Sequence, residues 1–192
     1  MIKTKHHIND ITNDIGTKHK LVTYLNDLIT EKKSIRKFNS ITIACIGTDR
    51  STGDSLGPFV GEILEQKKWE NVNIIGTLEF PLHAKNIEAR LETISYDSLI
   101  IGIDACLGGL DSLNCISINN ESLHPGAALD KELPSVGDIS ILGNVNLSNG
   151  GFSTLQNTRL YTVVELVKGI VDILSEVIPY VNFTENLEEI IA

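Results

Sequence analysis

The sequence predicts an α/β protein, a mostly parallel sheet between helical layers. Short runs rich in β-branched residues recur at 41–46, 72–75, 98–103, 114–118 and 139–143, and runs this apolar suit strands covered on both faces. Segments with apolar residues three and four apart separate the first three of them. Strands alternating with helices bury their apolar faces as a largely parallel sheet between helical layers.

Residues 1–16 are polar with scattered Ile and no period, so a loose arm is expected there. The adjacent His6 and His7 make a poor metal site. From 17 to 33, Leu21, Leu25, Leu28 and Ile29 form one face of a surface helix. Lys32, Lys33, Arg36 and Lys37 follow as cations suited to a helix C-terminus. The first strand, 41–46, runs into a Gly-rich turn from Gly47 to Ser55. Leu56, Phe59, Val60, Ile63 and Leu64 then mark a helix stripe, with Pro58 tolerated in its first turn. After the second strand at 72–75, residues 84–94 read as a helix. The third strand, 98–103, ends at Asp104. A further strand at 114–118 is followed by a long loop, 119–137, bearing Pro125, Gly126, Pro134 and Gly137, and by a strand at 139–143. Leu160, Val163, Val164, Val167, Ile170, Val171 and Leu174 define a long apolar helix stopped before Pro179. The acidic tail, 183–192, is expected to be helical.

Composition removes several function classes. The chain has 192 residues, 16 Lys+Arg against 25 Asp+Glu, and a formal net charge of -9. Without a basic cluster there is nothing to neutralise phosphates, so a nucleic-acid surface is not expected. No apolar stretch reaches the ~18 residues of a spanning helix, and no signal-type apolar region stands at the N-terminus, so neither a membrane protein nor an exported one is expected. Cys45, Cys106 and Cys115 have no CxxC spacing, which argues against a disulfide framework and a zinc ribbon. A cytoplasmic location follows as the default.

Ligands of open α/β sheets bind beyond the carboxyl ends of the strands. Asp54 closes the turn after the first strand, Asp104 follows the third, and Glu79 follows the second; His124 stands in the loop after the fourth. Asp54 or Ser55 can instead be a helix N-cap. Asp104, a poor strand residue after an apolar run, calls for a charge partner, a hydrogen-bonded turn or a catalytic task. Two carboxylates converging on one cleft cannot easily both ionise, so one keeps its proton near neutrality. Such a pair can hydrolyse an amide, the ionised member activating water and the protonated member donating to the carbonyl oxygen. It can also hold a divalent metal, which for nickel would normally include a His. His83 can hydrogen-bond substrate or cap the following helix. Cys106, two residues past Asp104, is either a nucleophile or an ordinary packed thiol. P-loop, GxGxxG and GxSxG patterns are absent.

Several segments together resemble the YyaC-like sporulation proteins. They are Gly47-Thr48-Asp49-Arg50-Ser51-Thr52-Gly53-Asp54-Ser55-Leu56-Gly57-Pro58, the stretch from Gly76 to Asn86 containing Glu79-Phe80-Pro81-Leu82-His83, and Ile103-Asp104-Ala105-Cys106-Leu107-Gly108. His124-Pro125-Gly126-Ala127, Leu133 to Ser140 and Leu155 to Leu160 complete the set. The likeness spans about residues 40–170. That group is similar in turn to the spore germination protease and, more distantly, to the hydrogenase maturation endopeptidases. The resemblance implies a three-layer α/β/α sandwich with a mostly parallel sheet, phosphorylase/hydrolase-like, and a peptidase site whose two catalytic aspartates fall on Asp54 and Asp104. In the maturation endopeptidases these positions bind the nickel of the substrate together with a His located before the last helix. Residues 143–158 contain no His, so no metal is expected, and no cofactor.

The expectation is therefore a short N-terminal arm and helix, 1–39, and one α/β peptidase-like domain, 40–192. Asp54 and Asp104 would cleave a peptide bond, and Gly53, Glu79, His83 and His124 would contact the substrate. The partner would be a protein or peptide substrate, in the cytoplasm of a sporulating cell or forespore. Homo-oligomers stay open. Carboxylates pointing apart, or plugged by Arg50, would favour a non-catalytic binder of peptides or ligands; a small-molecule hydrolase is a third alternative.

Overall fold

The computed structural model describes residues 4–126 and 133–183. Its elements in chain order are β1 (Thr4–His7), α1 (Ile8–Asn13), α2 (Ile15–Ile35), β2 (Ser40–Cys45), α3 (Leu56–Glu65), β3 (Val72–Ile75), α4 (Ile87–Leu91), β4 (Ser98–Gly108), β5 (Cys115–Asn119), β6 (Ile139–Leu147), α5 (Gly151–Gln156) and α6 (Leu160–Val177). The six strands form one mixed sheet in the order β1-β5-β6-β4-β2-β3. β6, β4, β2 and β3 run parallel, and β5 is antiparallel to both β6 and β1. Helices lie on both sides, as the alternating sequence pattern predicts.

Strand pleating sends alternate residues to opposite faces. Ile41, Ile43, Leu99, Ile101, Ile103, Ile139 and Ile141 pack in one cluster with Leu21, Leu25 and Leu28 of α2, Val60 and Leu64 of α3, and Val163, Val167 and Ile170 of α6. Ala44 and Ile46 instead pack with Leu82, Ile87, Leu123 and Val136 in a smaller, separate cluster. Full burial of each such aliphatic side chain contributes about 1.5–3 kcal/mol, so the first cluster dominates stability. No helix among the described residues is long and apolar enough to cross a membrane.

Four expectations change. Residues 4–7 are not a loose arm: they pair with β5, Thr4 opposite Ile118 and His7 opposite Cys115, and His7 Nδ1 caps α1 by accepting from Asn9 N–H. The helix expected over 84–94 shortens to α4, because Asn86 is drawn into a tight turn whose Oδ1 accepts from His83 N–H. Asp104 does not follow its strand but lies within it; β4 runs on to Gly108 because β6 continues to pair with it after β2 has stopped at Cys45. Within the 119–137 loop, Leu123 and Val136 form a bridge across the described ends. The acidic tail lies, from residue 184, outside the described residues.

Candidate active site

The chain leaves β2 through α3 toward β3 on one side, and β4 lies on the other side of β2. The crevice between the carboxyl ends of β2 and β4 is thus a switch point, where open sheets take their ligands. Cys45 is the last β2 residue paired with β4, opposite Ile103, so Asp104 is the first position of β4 whose β2 side is open.

The turn after β2 delivers Asp54 to that opening. Gly47 has φ +139, and a Cβ there would lie 1.9 Å from Asp54 O; only glycine lets the chain fold back so closely. Thr48 N–H donates to Asp54 O at 3.1 Å and closes the turn. Gly53 and Asp54 open a single 3-10 turn that leads into α3. Neither Asp54 nor Ser55 caps α3 through its side chain: the Ser55 hydroxyl donates to Thr52 O instead. The cap reading of Asp54 therefore falls.

Gly53 has a contact that no local pattern announces. A Cβ on it would meet Leu155 O at 2.8 Å and Thr158 Oγ1 at 2.9 Å, so the segment before α6 presses directly on the turn. Asn146 Nδ2 braces that segment, donating to Thr154 O at 3.3 Å and to Thr158 Oγ1 at 3.2 Å. Asn146 belongs to no motif in the sequence, and Thr158 stands in the Leu155–Leu160 segment with nothing local to announce this contact; the meeting of the two depends on the extension of β6.

Asp54 and Asp104 feel each other. Burial pushes the Asp104 carboxyl well above the usual carboxylate range, the Asp54 charge pushes it further, and a 2.8 Å bond from Ala105 N–H only partly opposes this. Burial also raises Asp54, to about 6, against the Thr48 N–H and the nearby His83 imidazole. Both residues keep part of their surface open, so water and a ligand can reach the pair. Arg50 lies on the exposed side of the turn and contributes to neither shift.

His83 is the third member. Leu82 bridges to Ile46 and its carbonyl accepts from Gly47 N–H at 2.8 Å, which carries His83 to the rim beside Asp54. Asn86 holds this corner from below, through His83 N–H and Pro81 O. His83 Nδ1 accepts from Lys85 N–H at 3.3 Å. Glu79 is exposed and, with His83, lines a cavity of about 510 Å³ beside this corner. His124 is exposed on the bridged loop, its Nδ1 3.1 Å from Ser135 Oγ.

The remaining candidates separate cleanly. Burial, with Asp104 next in weight, pushes the Cys106 thiol up to about 12, which removes the thiolate a nucleophile needs. Among the described residues no cluster of three or more His, Cys, Asp or Glu side chains could hold a metal ion.

A family profile described as "Protein of unknown function (DUF1256)" matches residues 10–173. The chain is 42% identical over 155 residues to "Uncharacterized protein YyaC" of Bacillus subtilis (strain 168), a match covering 78% of this chain and 73% of that protein. Among solved structures, it is similar to the [NiFe] hydrogenase maturation protease HycI from Thermococcus kodakarensis KOD1, with a TM-score of 0.45, 17% identity, and coverage of 71% of this chain and 93% of that one. It is also similar to the [NiFe] hydrogenase maturation protease HybD from Thermococcus kodakarensis, with a TM-score of 0.43, 18% identity, and coverage of 71% and 97%.

Proposed function

The chain belongs to the DUF1256 family, and from that premise we propose that it is an aspartate-dependent endopeptidase whose Asp54 and Asp104 hydrolyse a peptide bond in a protein substrate. The observation that carries this reading is the pair itself: two carboxyls at one switch point, both held above their ordinary range, one of them raised by the other. Groups poised this way share a proton near neutrality.

Asp104, whose carboxyl is raised by burial and then by the Asp54 charge, is assigned as the acid. It donates its proton to the developing oxyanion of the scissile carbonyl. Asp54, with the His83 imidazole favouring its ionised form, takes a proton from the attacking water. Asp54 then gives that proton to the leaving amine while Asp104 takes one back from the gem-diol hydroxyl as the carbonyl re-forms, so the C–N bond breaks and both carboxyls regain their starting states. The N–H groups of Gly47, Thr48, Arg50 and Ser55 are already bonded within the protein, so the turn's backbone donors for a bound carbonyl are those of Asp49 and residues 51–54. Gly53, Glu79, His83 and His124 are assigned to substrate contact. The motif likeness to sporulation proteins supports a role in the cytoplasm of a sporulating cell or forespore. The exposed position of Arg50 favours hydrolysis over a non-catalytic binder, since the pair is not plugged by a cation.

The test is cleavage of a native proteome. Extract from sporulating cells is incubated with wild type, Asp54→Asn and Asp104→Asn, and new protein N-termini are identified by mass spectrometry. Termini generated by wild type alone are expected. Identical termini with all three proteins, or none with any, would refute the peptidase and leave the binding module.

A further inference from the structure

β3 is the last strand of the sheet, and among the described residues no strand pairs with its outer side. Its backbone orientation follows from one bond. Ile41 N–H donates to Asn71 O, with Ile41 in register with Val72. In a parallel ladder the hydrogen-bonding residues alternate, so Asn71, Asn73 and Ile75 face β2, while Val72 and Ile74 turn their N–H and C=O groups outward. Apart from being short, β3 carries none of the usual guards of an open edge: no Pro and no Lys interrupt Val72-Asn73-Ile74-Ile75.

The edge also lies at the floor of a walled groove. A cavity of about 530 Å³ runs along Val72, Asn73 and Ile74, with Leu64 and Trp69 on the α3 side and Thr93 and Ile94 on the other. The cavity of about 510 Å³ described above continues from it, sharing Glu65 and Ile74, and ends at Phe80 and His83. Phe80 is 67% exposed, an apolar side chain left at the catalytic end of the groove.

We propose that the free edge of β3 is an exosite that takes up an extended segment of the peptide substrate as a seventh strand, before that peptide crosses His83 to the aspartate pair. A backbone is the ligand that matches two outward N–H and C=O pairs in a slot walled on both faces, and strand addition is a general mode of peptide capture. The groove ends on the imidazole that acts on Asp54, which makes it continuous with the proposed site. Strands lie about 4.8 Å apart. The added strand, β3, β2 and β4 therefore put Asp104 some three spacings, about 14 Å, from the docked segment, a span of four to five extended residues at about 3.3 Å each. Recognition is thus set four to five residues from the scissile bond. That the docked peptide is a substrate rests on the peptidase reading; the docking itself does not.

The experiment uses the full chain carrying Asp54→Asn and Asp104→Asn, so that bound peptide is not consumed. A random dodecapeptide phage library is selected on it, and synthetic copies of the selected peptides are titrated by fluorescence anisotropy. Val72→Pro removes one outward N–H without touching the ladder to β2, a substitution edge strands accept; Val72→Ala removes packing but keeps the N–H. We expect Val72→Pro to weaken peptide binding at least tenfold and Val72→Ala less than threefold, and hydrogen exchange at Val72 and Ile74 to slow at least tenfold in the complex. Equal binding by the Val72→Pro protein, protection that spares these two amides, or a library that yields no binder would overturn the exosite. So would a dimer in sedimentation that Val72→Pro dissolves, since the edge would then belong to a second copy. If Val72→Pro does not fold, the exchange of Val72 and Ile74 in the parent chain decides alone. Cleavage assays fail or succeed independently of these binding readouts, so loss of the peptidase reading and loss of the exosite are separable.

Discussion

Replacing Asp54 by Asn should stabilise the protein, and by an amount that depends on pH in one direction only. The Asp54 carboxyl is raised from 3.8 to about 6, chiefly by burial. The folded state therefore binds its proton more tightly than the unfolded chain does. Between pH 3.8 and 6 the native protein holds more protons than the unfolded one, so stability falls as pH rises through that window. Below it, Asp54 is neutral in both states and the penalty vanishes. Above it, the penalty is complete. A tenfold change in proton affinity is worth about 1.4 kcal/mol, so ionised Asp54 destabilises the fold by about 3 kcal/mol at pH 7.5 if its surroundings do not relax, and about 2 kcal/mol with partial hydration of its open side. Asn is near-isosteric and carries no charge to desolvate. It also removes the Asp54 charge that raises Asp104.

The assay is urea unfolding of wild type and Asp54→Asn at intervals from pH 3.5 to 7.5. Other carboxyls titrate in both proteins, among them Asp14, Asp97 and Asp111, which hydrogen bonds hold below the usual range; the difference between the two proteins cancels them. That difference should be near zero at pH 3.5 and grow to about 2–3 kcal/mol in favour of Asn by pH 7.5, while cleavage falls by about 10²–10⁴. A difference flat with pH, or an Asn protein less stable at pH 7.5, would refute the account: Asp54 would then be an ionised, well-solvated structural carboxylate.

Three further outcomes are expected. Gly76→Ala should lower stability by at least about 2 kcal/mol in urea unfolding, because Gly76 has φ +90 and a Cβ there would stand 1.9 Å from Cys45 O; an unchanged midpoint would mean the corner after β3 relaxes freely. Arg36→Ala should cost about 1–2 kcal/mol, since the guanidinium binds Tyr96 O, Ser98 O and Asp138 at 2.9, 3.2 and 3.1 Å with about a third of each charged side chain exposed; a loss under about 0.3 kcal/mol would make these bonds ornamental. Iodoacetamide at pH 8 should leave Cys106 unmodified in the folded protein, given a thiol pushed up to about 12, and Cys106→Ser should keep cleavage; rapid labelling on mass spectrometry would contradict the burial argument.

What the sequence determined was local chemistry and periodicity. β-branched runs placed β2 to β6, apolar stripes placed α2, α3 and α6, and the alternation of the two specified an α/β architecture, because these patterns act over one strand or a few helical turns. Asp104 was readable as a candidate because an acid at the end of an apolar run is anomalous by itself, and Asp54 because it closes the turn beyond the carboxyl end of the first strand. Tertiary structure decided what depends on distant partners. Residues 4–7 look like an arm and become an edge strand, since their pairing with β5 spans more than 100 residues of sequence. Asp104 looks terminal and lies inside β4, since β6 outlasts β2 as its neighbour. Leu82 docks beside Ile46 and brings His83 to Asp54, and Thr158 closes on Gly53. Register and strand order create these meetings, and both are set by the burial of whole faces against one another, which no window of a single strand or helix contains.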